Sequence, residues 1–182
     1  MIQFFKYIKR QIMIYKNGFN KIQCDLNKVI IFNNVEIAHP ERLTIEPYVR
    51  LGHNCHIDAY GKITIKKGVI LSSWVTILSS SHNFKNPKYL PFDNSDISNE
   101  VVINEGAWLA WGCTILPGVN IGKNSVVSAK SVVTKDVPEN SIVAGIPAKI
   151  IGKRNISDEL LESLDDEKFY QFQIIQNGMK RK

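Results

Sequence analysis

The chain has 182 residues, a formal net charge of +6 and 44% hydrophobic content, which fits one soluble domain with appended segments and contains no apolar run long enough to cross a bilayer as a helix. Its cysteines, Cys24, Cys55 and Cys113, are odd in number and lack CxxC or Cys/His spacing, so the thiols are read as reduced and no metal is expected. Nothing among the recognisable nucleic-acid modules accompanies the positive charge, so nucleic acid is not an expected partner.

Residues 1–30 read as a basic, helix-prone cap. Lys6, Lys9, Arg10, Lys16 and Lys21 stand among apolar residues with no acid before Asp25. The segment has neither the continuous apolar stretch nor the small-residue cleavage site of a signal peptide, so the cytoplasm is the expected location. A basic amphipathic start also offers a peripheral contact with the inner face of an anionic membrane, although a solvated helix face is the more ordinary explanation.

The main domain is expected over residues 31–154, and its signal is a repeat of period six. Ile45, Leu51 and Ile57 recur six apart; after a slip of two come Ile65, Leu71 and Ile77; later come Ile103, Leu109, Ile115, Ile121, Val127 and Val133. A helix needs apolar returns at three and four, and a half-buried strand alternates at two, so neither template fits. Two residues before these aliphatics stand small or β-branched side chains such as Val49, Cys55, Val75, Cys113 and Ser131. Three residues after them come Asn54, Gly68, Gly106, Gly112, Gly118, Asn124 and Asp136, residue types that tolerate a left-handed corner. Short strand, corner, short strand is the unit. Three units close a triangular coil, and about four to five coils stack at about 4.8 Å into a prism roughly 20 Å tall. Ile31, Ile37 and Leu43 are out of phase with Ile45 and are expected to help cap one end. The C-terminal tail, residues 155–182, reads as a helical cap for the other, with Ser157 as N-cap and Asp158 and Glu159 in the first turn.

The stretch "SSSHNFKNPKYLPFDNSDISNE", residues 79–100, breaks the beat with polar residues and reads as a loop extruded from the coil over about 79–102. Beyond it, "GAWLAWGCTILPGVNIGKNSVVSAKSVVTKDVPENSIVAGIPAKIIGKR", residues 106–154, closely resembles the hexapeptide-repeat acyltransferases, in particular the branch of maltose, galactoside and lipopolysaccharide O-acetyltransferases. The likeness covers about residues 45–154. It implies a mainly β fold, a left-handed parallel β-helix with short terminal helical segments and one extruded loop. It further implies a homotrimer with acetyl-coenzyme A in a groove between adjacent prisms, and a loop histidine acting as general base. The matching histidine is His82.

The chemistry suits that residue, because a sugar hydroxyl attacking a thioester must lose its proton as the new bond forms, and imidazole titrates near neutrality. Asn54 and Asp58 lie one coil before His82 and are candidates to orient it or to face the acceptor. Matching the family motif places Trp111, Ala129, Thr134 and Lys135 along the coenzyme groove, with Lys149 near the phosphates and Lys153 standing in for a basic residue that Gly152 lacks. Trp111 is a departure, since relatives carry a small residue there. Trp108 is expected at the trimer interface. The expected activity is acetyl-coenzyme A-dependent O-acetylation of a sugar, of a surface polysaccharide or its precursor. The alternatives are N-acetylation of an amino sugar and a catalytically inactive trimeric scaffold. A zinc-dependent chemistry on this fold requires three histidines, and "HNCH" at 53–56 does not supply their spacing.

Overall fold

The structure is a computed structural model and describes residues 18–157, Leu160 and 169–177. The first coil holds β1 (Ile30–Ile31) and β2 (Glu36–Ala38), the second β3 (Leu43–Ile45), β4 (Arg50–Leu51) and β5 (His56–Asp58), and the third β6 (Ile63–Ile65), β7 (Ile70–Leu71) and β8 (Thr76–Leu78). The chain then leaves the prism for β9 (Ser80–His82) and β10 (Asp96–Ser98). The fourth coil holds β11 (Val101–Ile103), β12 (Trp108–Leu109) and β13 (Thr114–Ile115), and the fifth β14 (Asn120–Ile121), β15 (Val126–Val127) and β16 (Val132–Val133). A sixth begins with β17 (Ser141–Gly145), on which β18 (Ala148–Lys153) folds back antiparallel.

Every sixth residue meets its counterpart in the neighbouring coil. Face 1 stacks β3, β6, β11 and β14; face 2 stacks β1, β4, β7, β12, β15 and β17; face 3 stacks β2, β5, β8, β13 and β16, all parallel. Leu51, Leu71, Leu109 and Val127 align on face 2, and these, with Ile57, Ile65, Ile77, Ile103, Ile115 and Ile121, are fully buried. Burying one such side chain contributes about 1.5–3 kcal/mol. The small partners Cys55, Val75, Cys113 and Ser131 are also buried, completing a narrow column that no single coil could fill.

The coils number about six where the sequence suggests four to five. The difference lies at the start. Ile31 pairs with Leu51 and Ile37 with Ile57, so these two form a coil of their own, while Leu43 opens the next coil by pairing with Ile63; none of the three is a cover. They looked out of phase because the early coils repeat every twenty residues, with extra residues near Glu41 and Tyr60. Ahead of them, Gln23 bridges to Thr44 and a 3-10 turn spans Phe19–Lys21. The basic residues of positions 1–17 lie outside the described residues.

The corner rule holds by position more than by residue type. Asn54, Gly68, Gly106, Gly112, Gly118 and Asn124 all have positive φ, as do Tyr48, Trp74 and Lys130 at equivalent corners. Asp136 does not; its carboxylate instead accepts the Asn120 N–H at 2.8 Å.

The described part of the tail does not cover the far end as expected. Phe169 packs over Gly68, where an added Cβ would collide with its ring, and Phe172 of α1 (Tyr170–Asn177) meets Tyr48 edge-on at 5.3 Å. The tail therefore lies along the side of the second and third coils, and the β17–β18 hairpin closes the sixth. Asp158 and Glu159, the proposed first helical turn after Ser157, lie outside the described residues. No helix among the described residues is long and apolar enough to cross a membrane.

Candidate active site

The extruded loop leaves face 3 after Leu78 and returns to face 1 at Val101, and its neck is a two-stranded antiparallel ribbon. β9 pairs β10 with His82 opposite Asp96. The Asn99 N–H donates to the Ser79 carbonyl at 2.9 Å, and the Gly61 N–H donates to Ser79 Oγ at 2.8 Å. A Cβ on Gly61 would strike the Ser79 carbonyl and the Asn99 amide, so glycine here lets the neck close onto the coil below. Farther out, the Asp93 carboxylate organises the tip, accepting the hydroxyl and N–H of Ser95 and the N–H of Lys88. Those donors, the Ser95 hydroxyl first, hold its carboxyl below the usual range.

Ribbon pairing brings together what the sequence separates by fourteen positions. His82 Nδ1 lies 2.8 Å from Asp96 Oδ1, and the imidazole stacks on Phe92 at 4.0 Å with planes 7° apart. A carboxylate at Nδ1 selects the tautomer that carries its proton there and leaves Nε2 as the basic nitrogen. The ring stays 59% exposed, so Nε2 has access to a reactant. His82, Asp96, Asp58, Ser80, His39 and Tyr60 surround one cavity of about 340 Å³. No sequence pattern marks Asp96 or Phe92, which meet His82 only through the ribbon and the loop it carries.

Asp58 shares this cavity, but its carboxylate accepts Ser80 Oγ–H at 2.7 Å and the Tyr60 N–H at 3.1 Å. It braces the base of β9 and makes no direct bond to the histidine. Asn54 stands at the other end of the β5 strand, in a left-handed corner, accepting the Asn34 side-chain N–H at 3.1 Å. On a single chain it does not reach His82. Of the other histidines, His39 lines the same cavity as His82 with its Nδ1 3.6 Å from Glu41, while His56 Nδ1 is 3.4 Å from Glu36 and His53 packs on Phe32 at 4.7 Å.

The residues matched to the coenzyme groove fall on different edges. Trp111 and Ala129 stand exposed on the edge between faces 2 and 3, the same edge as Asn54, and Lys130 Nζ sits 4.2 Å from the Trp111 ring centre. Lys149, opposite Ala144, reaches toward that edge from β18. Thr134 and Lys135 occupy the next edge, between faces 3 and 1, above the root of the His82 loop. Lys153 pairs with Ser141 at the opposite end of face 2. Trp108 is 47% exposed, its indole N–H donating to Ser72 Oγ at 3.0 Å. Among the described residues, no three His, Cys, Asp or Glu side chains are grouped to hold a metal ion.

No family model matches the chain. Individual proteins do. It is 37% identical over 121 residues to the Escherichia coli protein named for lipopolysaccharide biosynthesis O-acetyl transfer, WbbJ, covering 63% of this chain and 62% of that one. It is 32% identical over 144 residues to a protein named as an acetyltransferase in Staphylococcus aureus, covering 74% and 69%. The chain thus spans less than two thirds of the former relative's length. Among solved structures, the hexapeptide-repeat-containing acetyltransferase of Vibrio cholerae complexed with acetyl-coenzyme A superposes with a TM-score of 0.61 at 25% identity, over 69% of this chain and 72% of that one. Sequence likeness across most of the prism and a shared coil architecture give one assignment: the chain belongs to the hexapeptide-repeat acetyltransferases.

Proposed function

We propose that the protein transfers acetyl from acetyl-coenzyme A to a hydroxyl of a sugar, in a surface polysaccharide or its precursor, with His82 as general base. The observation that carries this is the His82–Asp96 pair at 2.8 Å, held on a projecting ribbon with one imidazole nitrogen left for a substrate. Nε2 takes the hydroxyl proton while the oxygen attacks the thioester carbonyl. The tetrahedral intermediate then expels the coenzyme A thiolate, which takes that proton back from the imidazolium, so the enzyme ends as it began.

The separated halves of the expected coenzyme track support a site between copies. Ala129 and Thr134 stand at opposite ends of one short strand, on two different edges of the prism with face 3 between them, so one edge of a single chain does not present both to one pantetheine arm. Two neighbouring prisms would put the Trp111–Ala129 edge of one against the His82 loop of the next, which is the homotrimer that the family resemblance implies. Exposed Phe84, Tyr89 and Leu90 on the loop supply apolar area for such a contact. The basic residues at the N-terminus fit a peripheral role at the cytoplasmic face of a membrane, where lipid-linked glycans would be met.

The test is thioester cleavage with acetyl-coenzyme A across sugars, nucleotide-sugars, amino sugars and isolated glycans, beside His82→Ala. Transfer to a hydroxyl, reduced roughly 10²- to 10⁴-fold in the variant, is the expected result. Transfer confined to amines would replace the acceptor with an amino sugar. An unchanged rate in His82→Ala would remove the base, and absence of any stabilisation by coenzyme A would reduce the protein to a scaffold.

A further inference from the structure

A second cavity, of about 480 Å³, lies on face 2 between the strands and α1, well separated from the His82 cavity. Its size is that of a small-molecule site. Its lining is unusual for the flank of a β-prism. The outward positions of face 2 run Ile30, Arg50, Ile70, Trp108, Val126 and Ile142 in register, so a guanidinium interrupts an otherwise apolar ladder just where α1 crosses. Around it stand Phe32, tilted against His53 at 4.7 Å, with Trp111 and Tyr170, and these three large rings are 37%, 46% and 39% exposed. Gln171 of α1 belongs to the same lining; it is only 1% exposed, and its Nε2 finds no hydrogen-bond partner among the described residues. A buried amide without a partner is costly unless a ligand completes it.

Ring faces and planar hydrogen-bonding groups converging on one groove match the chemistry of a pyranose. Aromatic faces take the C–H face of the sugar by dispersion, while amide and guanidinium groups bond its paired hydroxyls. We propose that this groove binds a sugar ring of an oligosaccharide acceptor, a unit beyond the one that reacts. The inference rests on the transferase reading for its purpose. Trp111 joins the two sites, since it lies both in this groove and on the edge assigned to the coenzyme, so a glycan seated under α1 would run toward the transferred acetyl group. An acceptor of this kind must have been assembled by glycosyl transfer before acetylation, which places the reaction after chain extension and not on a free monosaccharide.

The experiment is binding, without acetyl transfer, of the full-length protein to an array of bacterial surface oligosaccharides, repeated with Phe32→Ala and Gln171→Leu, with coenzyme A stabilisation measured in parallel. The expected result is capture of pyranose oligosaccharides, weakened roughly tenfold or more by Phe32→Ala and by Gln171→Leu, and much stronger than capture of their component monosaccharides. Phe32 sits at the rim and Gln171 on the opposing helix, so the two variants perturb folding independently. Binding that neither variant weakens, or no captured glycan while coenzyme A still stabilises the protein, overturns the groove and leaves the transferase reading standing. A loss of coenzyme A affinity in Phe32→Ala would assign the groove to the nucleotide instead. Failure of coenzyme A stabilisation in the wild-type chain would strike the transferase reading itself.

Discussion

A neutral imidazole carries its proton on one nitrogen or the other, and the tautomer decides whether His82, in the proposed role, would meet a hydroxyl as an acceptor or as a donor. Asp96 Oδ1 at 2.8 Å from Nδ1 settles this in favour of a basic Nε2, and the parallel Phe92 ring at 4.0 Å limits rotation of the imidazole. Asp96→Ala is therefore expected to lower kcat roughly 10- to 100-fold with little change in the KM for acetyl-coenzyme A, by analogy with other partners that orient a functional histidine. The check is steady-state kinetics together with the nitrogen chemical shifts of His82, which should move from the Nδ1–H pattern toward a tautomer mixture. Unaltered shifts with reduced activity would make Asp96 merely structural. Asp58→Ala is expected to act differently, since its bonds go to Ser80 and the Tyr60 N–H; it should loosen the ribbon and not alter the tautomer.

At the scale of elements, what the sequence revealed and what it withheld follow from how far each interaction reaches along the chain. The hexads were readable because each aliphatic serves the same column in every coil. The corners were readable from position, and the appearance of Tyr48, Trp74 and Lys130 at positive φ shows that neighbouring coils impose the conformation even where the side chain disfavours it. Ile31 and Ile37 were misplaced because insertions at the edge between faces 3 and 1 lengthen the early repeat while leaving the column intact. His82 stood out as the foot of the interruption. Its partner did not, because no short-range pattern links residues that meet only when an antiparallel ribbon forms, and the more obvious carboxylate, Asp58, is nearer the repeat but turned to Ser80. That ribbon depends on Gly61. Gly61→Ala forces a Cβ against the Ser79 carbonyl and the Asn99 amide, so the neck must shift and His82 with it. We expect a large fall in kcat with modest loss of stability, on the order of 1–3 kcal/mol for forced overpacking, measured by activity and denaturant unfolding of one preparation. Full activity in Gly61→Ala would show that the neck does not set the histidine.

Across the whole molecule, the cysteines report how the coils depend on one another. Cys55 and Cys113 occupy the same inward position of face 3 in the second and fourth coils, both buried, whereas Cys24 is half-exposed near the first. Burial pushes the Cys113 thiol up to about 12, and raises Cys55 as well. Cys24 is also raised by burial and by Asp25, but it stays half-exposed at the N-terminal end of the stack. A thiol whose folded pKa is raised supports the fold below the ordinary value of 9.0 and withdraws that support as pH climbs toward about 12, since only the unfolded chain ionises in between. Stability should therefore decline with alkalinity across that window, and Cys113→Ser or Cys113→Ala should flatten the decline. Near neutral pH an alkylating reagent should modify Cys24 in the native protein and leave Cys55 and Cys113 untouched, because the thiolate is the reactive form and neither can ionise without opening the column. Added denaturant separates two behaviours expected of stacked repeats. If the six coils open together, Cys55 and Cys113 become reactive at one denaturant concentration, the midpoint of global unfolding. We expect this outcome, because the ribbon neck, α1 and the tail tie the second coil to those above it. Labelling of Cys55 well before Cys113 would instead show coils unzipping from the N-terminal end, with the prism stabilised by nearest neighbours alone.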